Sequence, residues 1–263
     1  MSCTTNSCSL NDYEYISGLR YARMIQRSLM PEPTAMEKIL NEYFVLNLPK
    51  DIVTGDFFYV HQKDKYTYLA VGDCTGHGVP GALLSILGIS FLNEIIQSIA
   101  SPHANRILNT MREKVMKALH QTGQVYETKD SIDMALCIID QEQQTLQYAG
   151  ANRPLLVIRN GQLSIYPPDK MPIGVAPIIE RAFSATEIEL RSNDLIYLFT
   201  DGYADQFGGP ANKKFKYRRF REHLVSIQHL PMQEQYSRLT SIFNEWKGEA
   251  SQIDDVLVMG IKI

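Results

Sequence analysis

Between residues 12 and 29 the apolar positions Ile16, Leu19, Ala22 (or Arg23), Ile25 (or Gln26) and Leu29 recur every three to four residues, the spacing of one helix face. Pro31 and Pro33 forbid continuation, so the pattern predicts an N-terminal amphipathic helix. Strand-like runs follow at Tyr43 to Leu48, Phe57 to His61 and Tyr66 to Val71, the last leading into the glycine-rich segment GDCTGHGVPG. Pro80 suits a first helical turn, and the apolar stretch Val79 to Leu92 predicts a long helix there. Ser85 and Ser90 interrupt that stretch and Asn93 and Glu94 end it, short of the ~20 residues a bilayer span needs. It reads as a buried helix, with no membrane span. A further helix is predicted over Ala104 to His120, with Ile107, Leu108, Met111, Val115, Ala118 and Leu119 on one face.

From Met134 the pattern becomes short β-runs divided by turn residues: MALCIID, TLQYAG, PLLVIR, the hairpin signal Asn160-Gly161, then QLSIY. Further strands are predicted at Ala185 to Leu190, Leu195 to Thr200 and Val256 to Ile263, with helices near Phe215 to Gln228 and Met232 to Trp246 between the last two. Strands grouped with strands and helices grouped apart predict an α+β fold over a βαβ alternation. No repeat, low-complexity tract or interdomain linker interrupts the chain.

Composition narrows the class. With 263 residues, 44% hydrophobic and 10% aromatic, the chain can bury one sizeable core and is neither disordered nor collagen-like. A net charge of -3 provides no broad basic surface for nucleic acid, and the run Lys213, Lys214, Lys216, Arg218, Arg219, Arg221 reads as a solvated face. Cys3, Cys8, Cys74 and Cys137 are scattered, and the last two lie in apolar runs. The N-terminal MSCTTNSCSLNDY lacks a signal-peptide pattern, and the whole fits a reducing cytoplasm.

Asp56 in TGDFF, Asp73 in AVGDCTGHG, Asp201 in LFTDGYAD and the pair Asp254 and Asp255 in QIDDVLVMG each border an apolar strand run. Singly, an Asp at a strand end is a turn former or helix cap. Together, rigid elements would present these carboxylates to one shared space, where burial costs several kcal/mol each unless cations neutralise them. All-oxygen ligation without a Cys/His set selects Mg²⁺ or Mn²⁺ over zinc. His77, between two glycines, either tolerates an unusual backbone or offers a proton near the reacting centre. The GHGVPG turn could hold an anion at the following helix but lacks the Gly-Lys-Ser/Thr ending of a P-loop.

In order and spacing, GDFF, VGDCTGHGVPGALLS, DMALCIID with LQYAGANRPLL, MPIG, DLIYLFTDGYADQ and DDVLVMGI resemble the SpoIIE/RsbU-type phosphatases of the PPM family, across residues 40 to 263. The resemblance implies a four-layer αββα sandwich, two antiparallel sheets flanked by helices, with two Mn²⁺ or Mg²⁺ ions at one edge. It implies a phosphatase domain over 34–263, preceded by a regulatory or linker helix within 1–33. Asp73 corresponds to the carboxylate bridging both ions, joined by the Cys74 backbone carbonyl. Asp201 and Asp254 correspond to ligands of the other ion, and Asp56 to a ligand acting directly or through water. Asp255 falls one layer behind. Asp205 matches a third-metal position whose usual partner falls at Ala151, and Arg153 is a candidate for the phosphate-binding arginine of the eukaryotic branch.

Two cations ~3.5–4 Å apart lower the pKa of a shared water and stabilise charge on phosphoryl oxygens during in-line attack. The catalytic set is then Asp73, Asp201 and His77, with metal-bound water preferred and His77 the alternative as the proton donor to the leaving serine oxygen. The implied substrate is a phosphoserine or phosphothreonine on a small bacterial regulatory protein, of STAS or SiaC-like type. DQFGGP and KKFK resemble the SiaA-type subgroup, which favours the latter. The N-terminal helix resembles the linker of such enzymes and could pair with a second copy, or merely cover a sheet edge. Competing classes are a catalytically silent phosphoprotein-binding module and a Mg²⁺-dependent nuclease. The full set of acidic residues argues against the first, and the acidic pI near 6.1 against the second.

Overall fold

A computed structural model describes residues 10–124, 128–175 and 181–263; Cys3, Cys8 and most of the N-terminal MSCTTNSCSLNDY lie outside them. The chain opens with α1 (Leu10–Leu29), α2 (Pro33–Met36), β1 (Glu42–Leu48), β2 (Asp56–Lys63), β3 (Tyr66–Cys74), α3 (Gly78–Ser98) and α4 (Ala104–Ala118). The meander follows as β4 (Ile132–Asp140), β5 (Thr145–Ala151), β6 (Leu155–Arg159), β7 (Gln162–Tyr166), β8 (Thr186–Glu189) and β9 (Leu195–Phe199). The chain closes with α5 (Gly202–Asp205), β10 (Phe207–Gly208), β11 (Lys213–Lys214), α6 (Tyr217–Ile227), α7 (Met232–Lys247) and β12 (Val256–Lys262).

Two five-stranded antiparallel sheets form the centre, in orders β1-β12-β9-β6-β7 and β2-β3-β4-β5-β8. The continuous apolar runs become intelligible here, because these strands are covered on both faces. Along β9, Ile196 and Leu198 enter the inter-sheet core, while Leu195, Tyr197 and Phe199 pack with Phe220 and Leu224 of α6 and with Leu239 and Phe243 of α7. β12 alternates likewise, with Leu257 and Met259 inward and Val256 and Val258 outward. On the far side Ile89, Leu92 and Ile96 of α3 and Ile107, Leu108 and Met111 of α4 cover the second sheet. The result is the αββα layering expected from the resemblance.

Three differences matter. β3 continues past Val71 to Cys74, because β2 and β4 both keep pairing with it, so Asp73 lies within a strand and not in a turn. α3 spans 21 residues and is long and apolar enough to cross a membrane by length and composition, yet half of that apolar stretch is buried within the fold. The short elements α2, α5 and the β10–β11 hairpin have no periodicity long enough to read. The basic run divides between that hairpin and α6, where Arg218 pairs with Glu222 and Arg219 lies 4.4 Å over the Trp246 ring.

Candidate active site

Strand register assembles the site. Asp56 pairs with Asp73 across β2–β3, and Asp73 with Asp133 across β3–β4, so three aspartates occupy one row of adjacent strands. Residues directly opposite in an antiparallel ladder project from the same face. From the other sheet, Asp201 follows β9 and Asp254 precedes the neighbouring β12, whose ends meet where Thr200 N donates to Leu257 O at 3.0 Å. Asp56, Asp73, Asp201 and Asp254 are therefore brought to one end of the sandwich, close enough for each to feel the charge of at least one other.

Asp133 was not among the residues singled out from sequence. Its DM dipeptide reads as the start of a buried strand, and only the pairing register reveals that it stands beside Asp73.

One cation lies among these carboxylates. Nη2 of Arg153 donates to Oδ2 of Asp73 and to Oδ2 of Asp201, both at 2.7 Å, with Oδ2 of Asp133 at 3.3 Å. The turn holding it is tightly made: Asn152 adopts φ 56°, its amide donates to Asp133 Oδ1 at 2.8 Å, and Tyr148 Oη donates to the Arg153 carbonyl at 2.6 Å. Asn tolerates this left-handed backbone better than most residues. The Arg153 side chain is only 8% exposed, and its buried Nε has no hydrogen-bond partner among the described residues. Burial opposes the guanidinium charge, but Asp73, Asp201 and Asp133 outweigh it and hold its pKa above the ordinary value.

The carboxylates show the converse strain. Burial, then the charge of Asp73, pushes Asp56 well up, against the hydroxyl of Thr200 donating to Asp56 Oδ2 at 2.7 Å. Burial lifts Asp73 to about 7 despite Arg153, with Asp201, Asp133 and Asp254 adding to the rise. Burial likewise raises Asp133 and Asp254. Asp255 is 3% exposed and serves the backbone: Oδ1 accepts from Lys50 N at 2.7 Å and Oδ2 from Gly55 N at 2.8 Å, which fixes the loop leading to Asp56.

Among the described residues no group of three His, Cys, Asp or Glu side chains is arranged to hold a metal ion as it stands, since Arg153 draws Asp73 and Asp201 onto itself. The donor set nonetheless fits a hard divalent cation. It is all oxygen, negative charge exceeds the single guanidinium, and the raised carboxyl pKa values mark charge that lacks compensation. Cys74 is buried at the end of β3, its amide donating to Gly55 O at 3.3 Å. His77 occupies the N-cap position of α3, its ring turned to Asp51 and not onto the helix. Asp205 pairs with Lys214 at 2.8 Å, and Ala151 is buried.

Close packing joins the segments that follow β9 and precede β12, neighbours in one sheet. A Cβ on Gly202 would lie 1.9 Å from the Asp255 carbonyl oxygen, with backbone on both sides. Gly202→Ala is expected to cost at least about 2 kcal/mol, read from the urea midpoint of unfolding. Unchanged stability would show that the turn at Asp254 and Asp255 yields easily.

The Stage II sporulation protein E (SpoIIE) family model matches residues 63–263. None of the curated proteins matches the chain. Among solved structures, the SiaA-PP2C domain of Pseudomonas aeruginosa is 27% identical, with a TM-score of 0.87 over 97% of this chain and 99% of that one. The RsbU and RsbW domains of Rv1364c from Mycobacterium tuberculosis give 21% identity and a TM-score of 0.67, over 84% of this chain and 60% of that one. The PP2C phosphatase domain of SpoIIE from Bacillus subtilis gives 18% and 0.66, over 84% and 61%. With the model matching most of the chain, and with the same sandwich in those solved domains, the chain belongs to the SpoIIE family and carries the PP2C-type serine/threonine phosphatase fold.

Proposed function

We propose that this chain is a metal-dependent protein serine/threonine phosphatase acting on a small phosphorylated regulatory protein in the bacterial cytoplasm. The observation that supports it most is the row Asp56, Asp73, Asp133 facing Asp201 and Asp254, a concentration of buried and half-buried carboxylate that a structural role does not require. Asp56, Asp73, Asp201 and Asp254, with the Cys74 backbone carbonyl, would hold two Mn²⁺ or Mg²⁺ ions. Such a pair supplies Lewis-acid polarisation of water and of the phosphoryl oxygens.

The remaining work falls to the chain. Thr200 orients the Asp56 carboxyl through its 2.7 Å hydrogen bond, and Asp255 fixes the loop that carries Asp56. His77, half-exposed at the start of α3 and four residues beyond Asp73, donates the proton that the leaving serine oxygen needs. The similarity to the SiaA-PP2C domain supports a SiaC-like substrate over a STAS-type one. The test is phosphate release from a phosphoserine peptide with Mn²⁺, with Mg²⁺ and with chelator. Release that ignores chelator, or none with either metal, would sink the proposal.

We also propose that residues 1–33 act as a regulatory segment through which two copies pair. α1 exposes Tyr13, Tyr21, Met24, Ile25 and Leu29, an apolar surface of the kind that marks interaction sites. Gln26, 2% exposed, anchors the helix: Nε2 donates to Thr54 O at 2.6 Å and to Ser85 Oγ at 2.7 Å, tying α1 to the loop before Asp56 and to α3. Tyr21→Glu with Met24→Glu is expected to halve the mass measured by light scattering. A wild-type protein already monomeric at micromolar concentration would refute pairing.

A further inference from the structure

Asp51 takes no part in the acidic row, yet its Oδ2 lies 2.7 Å from Nδ1 of His77. Both side chains are about half exposed, and such a pair contributes only ~0–1 kcal/mol to stability. Backbone hydrogen bonds fix both of the loops that carry the pair. On one side, Asp255 accepts from Lys50 N and Gly55 N and so pins the loop carrying Asp51 at both ends. On the other, Cys74 N donates to Gly55 O, and Thr75 N donates to Ser131 O at 2.9 Å. Gly76 and Gly78, at φ 81° and 64°, give the chain around His77 a course that other residues rarely follow. The two loops touch: a Cβ on Gly55 would fall 2.7 Å from the Gly76 carbonyl oxygen, and one on Gly78 would fall 3.3 Å from Asp51 Oδ2.

We propose that Asp51 is the positioning residue of His77, holding the imidazole by Nδ1–H so that Nε2 is the atom that gives up a proton. This rests on the phosphatase reading above. An ionised carboxylate only accepts, so the 2.7 Å contact places a proton on Nδ1 and leaves Nε2 as the exchanging site. The charged groups on the adjoining segments are Lys50 beside Asp51, Asp73 at the end of β3 and Asp255 beneath the loop.

In the reaction the oxygen of water forms the new bond to phosphorus, and its proton goes to solvent. The bond between phosphorus and the serine oxygen breaks with its electron pair on that oxygen, which takes the Nε2 proton. The neutral imidazole, still bound to Asp51 through Nδ1–H, regains a proton from bulk water.

The leaving group separates this role from a structural one. p-Nitrophenolate departs without protonation, whereas a serine alkoxide does not. With Mn²⁺ present, Asp51→Asn is expected to lower kcat on a phosphoserine peptide by ~10–100-fold, a part of the ~10²–10⁴-fold that a general acid contributes, because His77 itself remains. Its effect on p-nitrophenyl phosphate should be several times smaller, and KM should change little. Asp51→Glu should recover part of the loss, and Asp51→Asn combined with His77→Asn should be no slower than His77→Asn alone. In ¹⁵N spectra of the imidazoles, Asp51→Asn should move the His77 Nδ1 and Nε2 signals away from the Nδ1–H form. Equal losses on both substrates, or unchanged His77 signals, would overturn the assignment while leaving the phosphatase standing. A wild type with no metal-dependent hydrolysis of either substrate would overturn both.

Discussion

Asp73→Asn is expected to lower metal-dependent phosphate release by at least ~10³-fold, since divalent cations at such centres supply several kcal/mol of transition-state stabilisation and each 1.36 kcal/mol is tenfold. Asp73 is the middle of the three-aspartate row, opposite both Asp56 and Asp133, and its charge acts on Asp56 directly. The amide has nearly the same shape but removes the charge that would bridge two cations.

The fold should not suffer in parallel. The folded protein raises the Asp73 carboxyl from 3.8 to about 7, so ionised Asp73 opposes folding. In chelator, that opposition grows as pH rises from about 4 to 7, because the folded state holds a proton the unfolded chain releases. Asp73→Asn should flatten this part of the stability–pH profile without lowering stability at pH 7 by more than the lost Arg153 contact. Urea unfolding in chelator between pH 5 and 8, beside kcat with Mn²⁺, checks both halves. A variant keeping a tenth of wild-type activity would show that Asp73 does not bridge the ions.

Arg153→Met should do the reverse and strike stability first. The guanidinium is 8% exposed and bridges Asp73 and Asp201 at 2.7 Å each, with Asp133 at 3.3 Å. Removing one partner of a buried ionic cluster leaves charge uncompensated, typically at a cost of about 3–5 kcal/mol. In chelator at pH 7.5 a loss of that size is expected. It should shrink toward pH 5, where the Asp73 carboxyl, raised to about 7 by burial, takes up a proton and no longer needs the cation. Saturating Mn²⁺ should also narrow it, because ions bound by the folded state stabilise that state and supply the missing positive charge. Equal urea midpoints for Arg153→Met and wild type in chelator would mean that the cluster relaxes into water and that Arg153 is not its counter-ion.

The two predictions bear on residues of unequal legibility. Asp73 stands out in sequence because an apolar run delivers it into a glycine-rich turn, a local pattern that needs no partner to be noticed. Arg153 in AGANRPLL looks by local pattern like any polar residue of a turn, and only the resemblance marks it, as a candidate phosphate-binding arginine. What makes it central is the left-handed Asn152 before it and the carboxylates waiting 48 and 80 residues away. Asp133 and Asp51 were hidden for the same reason, since their partners Asp73 and His77 are distant in the chain.

The sequence by itself determined most of the elements, because periodicity and turn chemistry are properties of neighbouring residues, while motif order, through the resemblance, supplied the layers and pointed to four acidic positions. The two-sided burial of β9 and β12 was already written in their unbroken apolar runs. Tertiary structure alone decided which strands pair in which register, and register decides which side chains share a face. A shift of one residue would turn Asp56, Asp73 and Asp133 to opposite sides of their sheet. It also decided that a buried arginine lies among the carboxylates, and that Asp51 reaches His77, because electrostatic interactions depend on distance in space and not on separation along the chain.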